Sequence, residues 1–538
     1  MTTKYIFITG GVVSSLGKGI VAASLGTLLQ AHGFSIRLRK LDPYLNVDSG
    51  TMSPHQHGEV FVTKDGVEAD LDLGHYERFT GIEATCDDSF TAGKIYHKLL
   101  EKERKGDYLG KTVQTIPHVT DLVKEVITNK TENIDFLICE IGGTVGDIEG
   151  LPFYEAIRQI KRDKGKDNVL YIHLTLLPYI SVAGEIKSKP TQHSVNTLRS
   201  IGIQPDILLC RADRKIPKNI LEKIALFCDV DNDCVLPALD QDDVYNAPIA
   251  LHEEGLDAIV LKKLNVKNEK TIELLDWRNA VNKIRYSPQI VTIGLIGKYN
   301  ELEDSYTSLR EALKHAGIYN NCKISIKWID ASGENNVNFY ESLEGLDGIV
   351  VPGGFGTSGV EGKIAAIGFA RKHNIPFLGI CYGMQLAAIS LARDIIGLRD
   401  ANTTEVTSNC TNIIGLMNEW QKDGADNVGK FSENFGGTMR LGNYTCKLKK
   451  NTRIHDIYGV DQIQERHRHR YEFNPNYRQL FIDSGIEISG TSIDDKLVEI
   501  IELPSHKWFI GVQFHPEFAS GPLKPHPLFR SFIKASLG

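Results

Sequence analysis

The chain lacks any hydrophobic run long enough to cross a membrane, any Cys-x-x-Cys pair, any low-complexity tract, any internal repeat and any excess of positive charge. Each absence removes a class of function. A membrane helix needs about 20 consecutive apolar residues, and none occur. The nine cysteines are odd in number and scattered, which fits neither a disulfide framework nor a zinc site and points to reduced thiols in the cytosol. Lys and Arg total 61 against 68 Asp and Glu, a net charge of −7, which argues against nucleic acid as a main partner. Met1-Thr2-Thr3-Lys4 leads directly into an apolar strand, so no secretory leader is expected. Arg466-His467-Arg468-His469-Arg470 resembles a metal tract at first sight. Interleaved arginines repel a cation, so it reads as an anion- or substrate-facing segment.

What is present is ordinary globular composition in a chain of 538 residues, long enough for two or more domains with full cores. Strand-like and helix-like segments alternate from residue 4 to about 265, with Val169 to Leu174 and Asp206 to Cys210 among the strands. That alternation predicts a parallel sheet flanked by helices. Asn265 to Tyr286 is polar and helix-prone, Ser287-Pro288 breaks it, and a new strand opens at Ile290. Leu302, Tyr306, Leu309 and Leu313 then keep helical spacing. The expected organisation is two doubly wound α/β domains, at 1–266 and 289–538, joined by a linker at 267–288.

Two motifs carry chemistry. In the second half, the apolar run Ile375-Pro376-Phe377-Leu378 enters Gly379-Ile380-Cys381-Tyr382-Gly383-Met384-Gln385, and a helical pattern follows. A cysteine between glycines at a strand-to-helix turn is the thiol form of a nucleophile elbow. The start of the next helix stabilises negative charge on the sulfur. Far downstream stands His515-Pro516-Glu517. Proline disfavours helix for the residue before it, and in an extended segment positions i and i+2 share a face. Glu517 is therefore expected to orient the imidazole that activates Cys381. With the turn Pro352-Gly353-Gly354-Phe355-Gly356, these strings resemble class I glutamine amidotransferases. The resemblance implies that Cys381 attacks the amide of glutamine and that His515 serves as base and then acid. It also implies that the Gly354 backbone binds glutamine near the oxyanion hole. Tyr382 departs from the Leu of many members; at a position that contributes backbone, little effect is expected.

In the first half, the strand Tyr5-Ile6-Phe7-Ile8 runs into Thr9-Gly10-Gly11-Val12-Val13-Ser14-Ser15-Leu16-Gly17-Lys18-Gly19, and Ile20, Ala23, Ser24 and Leu28 continue at helical spacing. Strand, Gly-rich loop, Gly-Lys and helix is a phosphate-cradling arrangement. The spacing from Gly11 to Gly17 is one residue too long for a standard P-loop, and Gly19 stands where Ser or Thr would bind magnesium. Metal ligands must therefore come from elsewhere. Glu140 ends the strand-like Asp135-Phe136-Leu137-Ile138-Cys139-Glu140, and the alternation Asp70-Leu71-Asp72-Leu73 puts both Asp side chains on one face of a strand. Magnesium takes one or two carboxylates plus phosphate oxygens, which fits Asp72 and Glu140. Lys40 closes a second strand-like run, and Gly184 to Gln192 reads as a loop with Lys187 and Lys189 on one side. Together these lysines suit a second polyphosphate.

A phosphate site joined to a glutaminase implies ATP-dependent amidation. The acceptor is not readable from these motifs. The long strings Gly10 to Gly19, Lys40 to Asp48, Asp70 to Phe79, Glu140 to Glu149 and Lys187 to Gln192 resemble the CTP synthase family, in order and over essentially the whole chain. The resemblance implies that ATP phosphorylates UTP at O4 and that ammonia from L-glutamine displaces the phosphate. It assigns Ser15, Leu16, Gly17, Lys18, Gly19, Ile20, Lys40, Asp72, Leu239, Asp240 and Gln241 to ATP, and Asp72 and Glu140 to Mg2+. It assigns Ser14, Lys187, Ser188, Lys189, Pro190, Thr191, Gln192 and Lys223 to UTP, and Asp147, Ile148 and Glu149 to CTP as feedback inhibitor. Gly354, Tyr382, Gly383, Met384, Gln385, Glu405 and Arg470 would hold glutamine. GTP as allosteric activator, a homotetramer and a cytoplasmic location are also implied. A cobyrinate-type amidotransferase shares the two-part plan but amidates carboxylates. A non-catalytic ATP-switched scaffold is the alternative from another class. Against both stand the long strings and the intact Cys381, His515 and Glu517.

Overall fold

In the computed structural model, residues 2–53, 57–297, 303–333, 337–407, 409–416 and 439–538 are described. The chain divides into two compact units, Met1–Met52 with Glu68–Val281, and Ser53–Val67 with Asn282–Gly538.

The first unit is built on a seven-stranded sheet. Its strands are β1 (Lys4–Gly10), β2 (Ile36–Asp42), β3 (Ser89–Thr91), β4 (Phe136–Ile141), β5 (Val169–Leu176), β6 (Ile207–Ala212) and β7 (Val235–Leu239), in the order β7-β6-β5-β1-β4-β2-β3. Every pairing is parallel. Continuous apolar runs in β1 and β4 explain this, because strands covered by helices on both faces need no polar side. Chain order reverses around β1, whose neighbours are β5 and β4. In such sheets ligands bind beyond the carboxyl ends of strands, at the reversal. Gly10, Asp42 and Glu140 all lie at or beside those ends.

The second unit holds a nine-stranded sheet. Its strands are β8 (Gln289–Gly297), β9 (Cys322–Asp330), β10 (Gly348–Val351), β11 (Phe377–Ile380), β12 (Arg440–Leu448), β13 (Gln462–His469), β14 (Glu487–Ser492), β15 (Val498–Glu502) and β16 (Phe509–Val512), ordered β9-β8-β10-β11-β16-β15-β14-β12-β13. Strands β9 to β16 along that order pair in parallel, and the remainder antiparallel. The carboxyl ends of β10, β11 and β16 deliver Gly353, Cys381 and His515.

Three local expectations change. Asp70 to Leu73 is not a strand: Asp72 opens the helix Asp72–Thr80, and Asp70 Oδ1 accepts from the Asp72 N–H at 3.0 Å. A carboxylate two residues ahead satisfies a helix-end donor, and that local bond outweighs the alternation. The segment from Lys189 to Gln192 is the first turn of the helix Lys189–Ser200 rather than loop, with Pro190 in a position that helices tolerate. By contrast, the polar, helix-prone stretch after Asn265 forms a helix as expected, Leu275–Tyr286. After His515 the chain turns into a 3-10 helix, Pro516–Ala519, so Glu517 reaches the imidazole around a tight turn and not along an extended segment. In the region read from Leu302 to Leu313, the helix is Thr307–Asn320, and Leu302 lies outside the described residues.

Candidate active site

In the second unit, Cys381 sits between β11 and the helix Tyr382–Leu391 with φ 52° and ψ −104°. Positive φ is uncommon for a residue with a Cβ, and strain of this kind is kept at functional sites. The flanking glycines are required by space. A Cβ on Gly379 would lie 2.7 Å from Gly383 O, and one on Gly383 only 2.0 Å from Val351 O. The Cys381 N–H donates to Val512 O at 2.7 Å, tying the elbow to the strand that leads to His515.

His515 Nδ1 and Glu517 Oε1 are 2.7 Å apart, which leaves Nε2 for the sulfur. Gly353 fills the space beside both partners: a Cβ there would lie 2.8 Å from His515 Cε1 and 3.7 Å from Cys381 Cβ. Burial opposes charge on the imidazole, but Glu517 and the Cys381 sulfur outweigh it and raise His515 to about 10. Phe518 stacks on the ring, with centroids 5.4 Å apart. The sulfur also meets Gln513 Nε2 at 3.7 Å and Arg468 O at 3.8 Å.

The residues assigned to glutamine surround this centre. Tyr382 contributes more than backbone: its hydroxyl donates to Gly356 O at 2.8 Å and anchors the turn after β10. Glu405 Oε1 accepts from Gly356 N at 2.6 Å; burial pushes its carboxyl up, while Gly356, Arg470 and Lys363 pull it back. Gly354 lies against that turn, where a Cβ would be 3.9 Å from Lys363 Nζ and from Tyr382 Cδ1. Gly383 and Met384 are enclosed in the first turn of the helix, and buried Gln385 donates to Tyr471 O at 2.9 Å and Gln513 Oε1 at 3.2 Å. Gln513 and Phe518 escaped the sequence reading, because neither belongs to a recognisable string. The Arg-His tract is not wholly substrate-facing. His467 and His469 are buried and meet each other at 2.9 Å. Beside them Arg440 bridges Glu472 and Glu499 at 2.9 and 2.8 Å. Strand alternation sends the two imidazoles into the core.

In the first unit, the loop after β1 has positive φ at Val12, Ser15 and Gly17. Lys18 turns inward and donates to Gly143 O at 2.8 Å; burial lowers its pKa, against the pull of Glu140. Gly19 answers the missing hydroxyl, since a Cβ there would lie 2.0 Å from Asp72 Oδ1. The Asp72 carboxylate occupies that space. Lys40 Nζ joins the two candidate metal ligands: it donates to Asp72 and, at 2.8 Å, to Glu140 Oε1. Burial works against the Lys40 charge, but Asp72 and Glu140 raise it well above the usual lysine range. Burial works against Asp72 too, and Lys40 holds it down to about 2. Asp42 and Asp70 add acid: burial lifts Asp42 to about 6 and Asp70 well up. The Tyr76 hydroxyl donates to Glu140 Oε2. Asp42 and Tyr76 were not singled out from the sequence.

A cavity of about 440 Å³ opens beside the loop, lined by Leu16, Gly17, Ile20, Leu239, Asp240 and Gln241 among others. Arg211, also missed, lines it, binds Asp240 at 2.7 Å and donates to Ser15 O at 3.1 Å. Ser14 is exposed. Of the Lys187 to Gln192 string, Lys187 pairs with exposed Glu185, Lys189 is exposed and Pro190 half-buried, whereas Ser188, Thr191 and Gln192 face inward. Exposed Lys223 acts electrostatically on the same Glu185, so it belongs to this cluster. Asp147, Ile148 and Glu149 form an exposed turn, with Asp147 Oδ2 accepting from Thr144 N at 2.9 Å.

Comparison with known proteins gives a family for each half. Residues 4–266 match the family described as CTP synthase N-terminus, and residues 301–535 match glutamine amidotransferase class-I. The chain is 55% identical over 535 residues to the CTP synthase of Paramagnetospirillum magneticum, covering 99% of each chain. It is 56% identical over 538 residues to that of Carboxydothermus hydrogenoformans, with 99% of each covered. Among solved structures, the glutaminase domain of Trypanosoma brucei CTPS with bound acivicin is similar at 36% identity and a TM-score of 0.41, covering 46% of this chain and 94% of that one. With matches spanning both halves and full-length relatives above half identity, the chain belongs to the CTP synthase family, glutamine-hydrolysing C–N ligases that convert UTP to CTP.

Proposed function

We propose a division of labour in which Cys381, His515 and Glu517 release ammonia and the first unit spends ATP to install it on UTP. Cys381 attacks the side-chain carbonyl of glutamine, His515 passes a proton to the departing ammonia, and Glu517 keeps the imidazole oriented and charged. Water then cleaves the thioester to glutamate. The Glu405 carboxylate suits the amino group of glutamine, and the Arg470 guanidinium suits its carboxylate.

In the first unit the cavity beside Leu16, Leu239 and Asp240 has room for the adenosine of ATP. The loop backbone and Lys18 take the phosphates. Asp72 and Glu140 fit Mg2+: they offer hard carboxylate oxygens, and together they already hold one cation, the Lys40 ammonium that bridges them. When bound, the ion would neutralise phosphate charge. Ser14, Lys187 to Gln192 and Lys223 hold UTP, Lys40 balances the carboxylates, and the γ-phosphoryl passes to O4 of UTP. Ammonia then displaces phosphate at C4, so ATP, UTP and ammonia give ADP, phosphate and CTP. CTP bound at Asp147 to Glu149 would inhibit, and GTP would activate. Exposed Leu109, Ile148 and Leu151 support burial against further copies in a homotetramer. All nine cysteines are free, in keeping with the cytoplasm.

The observation that carries this reading is the strained Cys381 elbow beside a charge-paired His515–Glu517, in one chain with a lysine loop beside buried carboxylates. The test follows CTP formation by absorbance with glutamine and then with ammonium chloride. Cys381→Ala should abolish the first and spare the second, because external ammonia bypasses the thiol. Lys18→Ala should abolish both while sparing basal glutaminase. Loss of both by a folded Cys381→Ala protein would refute the division.

A further inference from the structure

One buried group near the phosphate loop has no part in the chemistry above. His173, on β5, is fully buried, and both ring nitrogens are engaged: Nδ1 meets Thr9 Oγ1 and Nε2 meets Ser194 Oγ, each at 2.8 Å. Thr9 is the residue before Gly10-Gly11 of the loop. Ser194 lies on the helix Lys189–Ser200, whose first turn carries the end of the Lys187 to Gln192 segment.

The hydrogen-bond directions follow from the network. The Thr9 hydroxyl donates to Ile172 O at 3.3 Å, so it accepts from Nδ1–H. Nε2 is then unprotonated and accepts from Ser194. Burial, reinforced by the charge of Lys18, lowers His173 to about 3, so the ring remains neutral and this tautomer persists at working pH. The next two residues of β5 strengthen the same link. Leu174 O accepts from Gly11 N at 3.1 Å, and Thr175 Oγ1 accepts from Thr191 Oγ1 at 3.0 Å. Nor is there slack between loop and helix. A Cβ on Gly11 would lie 1.6 Å from Ser194 Oγ, so the loop backbone rests on the serine.

We propose that His173 is a positioning residue through which occupancy of the phosphate loop and occupancy of the Lys187–Gln192 segment favour each other. A loop fixed by triphosphate fixes Thr9, the rigid ring transmits that position to Ser194, and Ser194 sets the start of the helix that meets the second nucleotide. Linkage makes the effect reciprocal. The proposal rests on the assignment of ATP to the loop and UTP to the segment.

The test is UTP titration by calorimetry with magnesium, in the absence and presence of saturating AMP-PNP, and the reverse experiment. Without ammonia or hydrolysable ATP no turnover occurs. Wild type should show at least about fivefold tighter UTP binding when AMP-PNP is present, the lower end of ordinary coupling. Ser194→Ala and His173→Asn should reduce that factor below about twofold, while either nucleotide alone binds within about threefold of wild type. His173→Gln, which can still accept from Ser194, should recover part of the factor. A wild-type factor of one, or Ser194→Ala and His173→Asn proteins that keep the full factor, would overturn the proposal. Lys18→Ala separates the two layers. If AMP-PNP affinity survives that change, the loop assignment itself fails. If affinity falls and the factor still persists in Ser194→Ala, only the role of His173 fails.

Discussion

Adding one methyl group at Gly353 should disable glutamine hydrolysis and leave the rest of the enzyme working. Gly353 has no positive φ, so alanine brings no backbone strain. Its Cβ would stand 2.8 Å from His515 Cε1, whereas carbon atoms pack at about 3.5–4.0 Å. The imidazole must therefore retreat by roughly 0.7 Å or more to restore that spacing. It has little freedom to do so without cost, being buried, tied to Glu517 at 2.7 Å and stacked on Phe518. A misplacement near 1 Å costs about a hundredfold in rate, so glutaminase kcat/KM should fall about ten- to a hundredfold. The assay pairs glutamate release with CTP formation from ammonium chloride, which does not require His515. Ammonia-driven synthesis should stay within about twofold of wild type, since external ammonia bypasses the thiol and its imidazole. Glutaminase activity within twofold of wild type would refute the argument, as would equal loss with both nitrogen sources.

Two further outcomes follow from the charged groups. Glu517→Gln removes the charge that offsets burial of His515 and holds it near 10; the imidazolium is then lost at lower pH, so the alkaline limb of the glutaminase profile should move down and kcat should fall about 10²–10⁴-fold, and an unmoved limb would exclude Glu517 as the source of the shift. Tyr76→Phe deletes the hydroxyl that donates to Glu140 Oε2 and should weaken metal binding about tenfold or more, read directly as Mn2+ affinity by electron paramagnetic resonance; unchanged affinity would show that Tyr76 only packs.

Elements were legible in the sequence where local pattern and tertiary demand agree. The buried parallel strands β1 and β4 announce themselves as apolar runs, Tyr5 to Ile8 and Phe136 to Cys139, and the elbow glycines as a spacing that leaves little alternative. Legibility failed where a single polar contact overrode periodicity. The alternation at Asp70 to Leu73 reads as strand, yet the Asp70 carboxylate satisfies the Asp72 N–H and starts a helix. His515 and Glu517 meet at 2.7 Å, but through a 3-10 turn and not an extended i, i+2 face. The Arg-His tract reads as one exposed cluster because its residues are polar, while strand period places His467 and His469 in the core. Arg211, Tyr76, Gln513 and His173 were invisible for another reason. Each acts on a residue far away in sequence, and no local string encodes such a partner.

Residues 57–67 show how far this limit extends. They come before the carboxylates of Asp70 and Asp72 in the chain, so a linear parse assigns them to the first unit. Their contacts place them in the second. Phe61, Val62 and Thr63 are fully buried. Glu59 Oε2 accepts from the N–H and hydroxyl of Ser308, at 3.0 and 2.5 Å, and Arg466 donates to Val62 O at 3.1 Å. The Phe61 ring meets Phe518 edge-on, with centroids 5.1 Å apart, and Phe518 in turn stacks on His515. Aromatic pairs of this geometry contribute about 0.5–1.5 kcal/mol beyond their buried area. The packing around the glutaminase imidazole is therefore completed by a segment more than four hundred residues upstream. Its position follows from burial of Phe61 and Val62 against β13 and the Phe518 turn, and not from its place in the sequence.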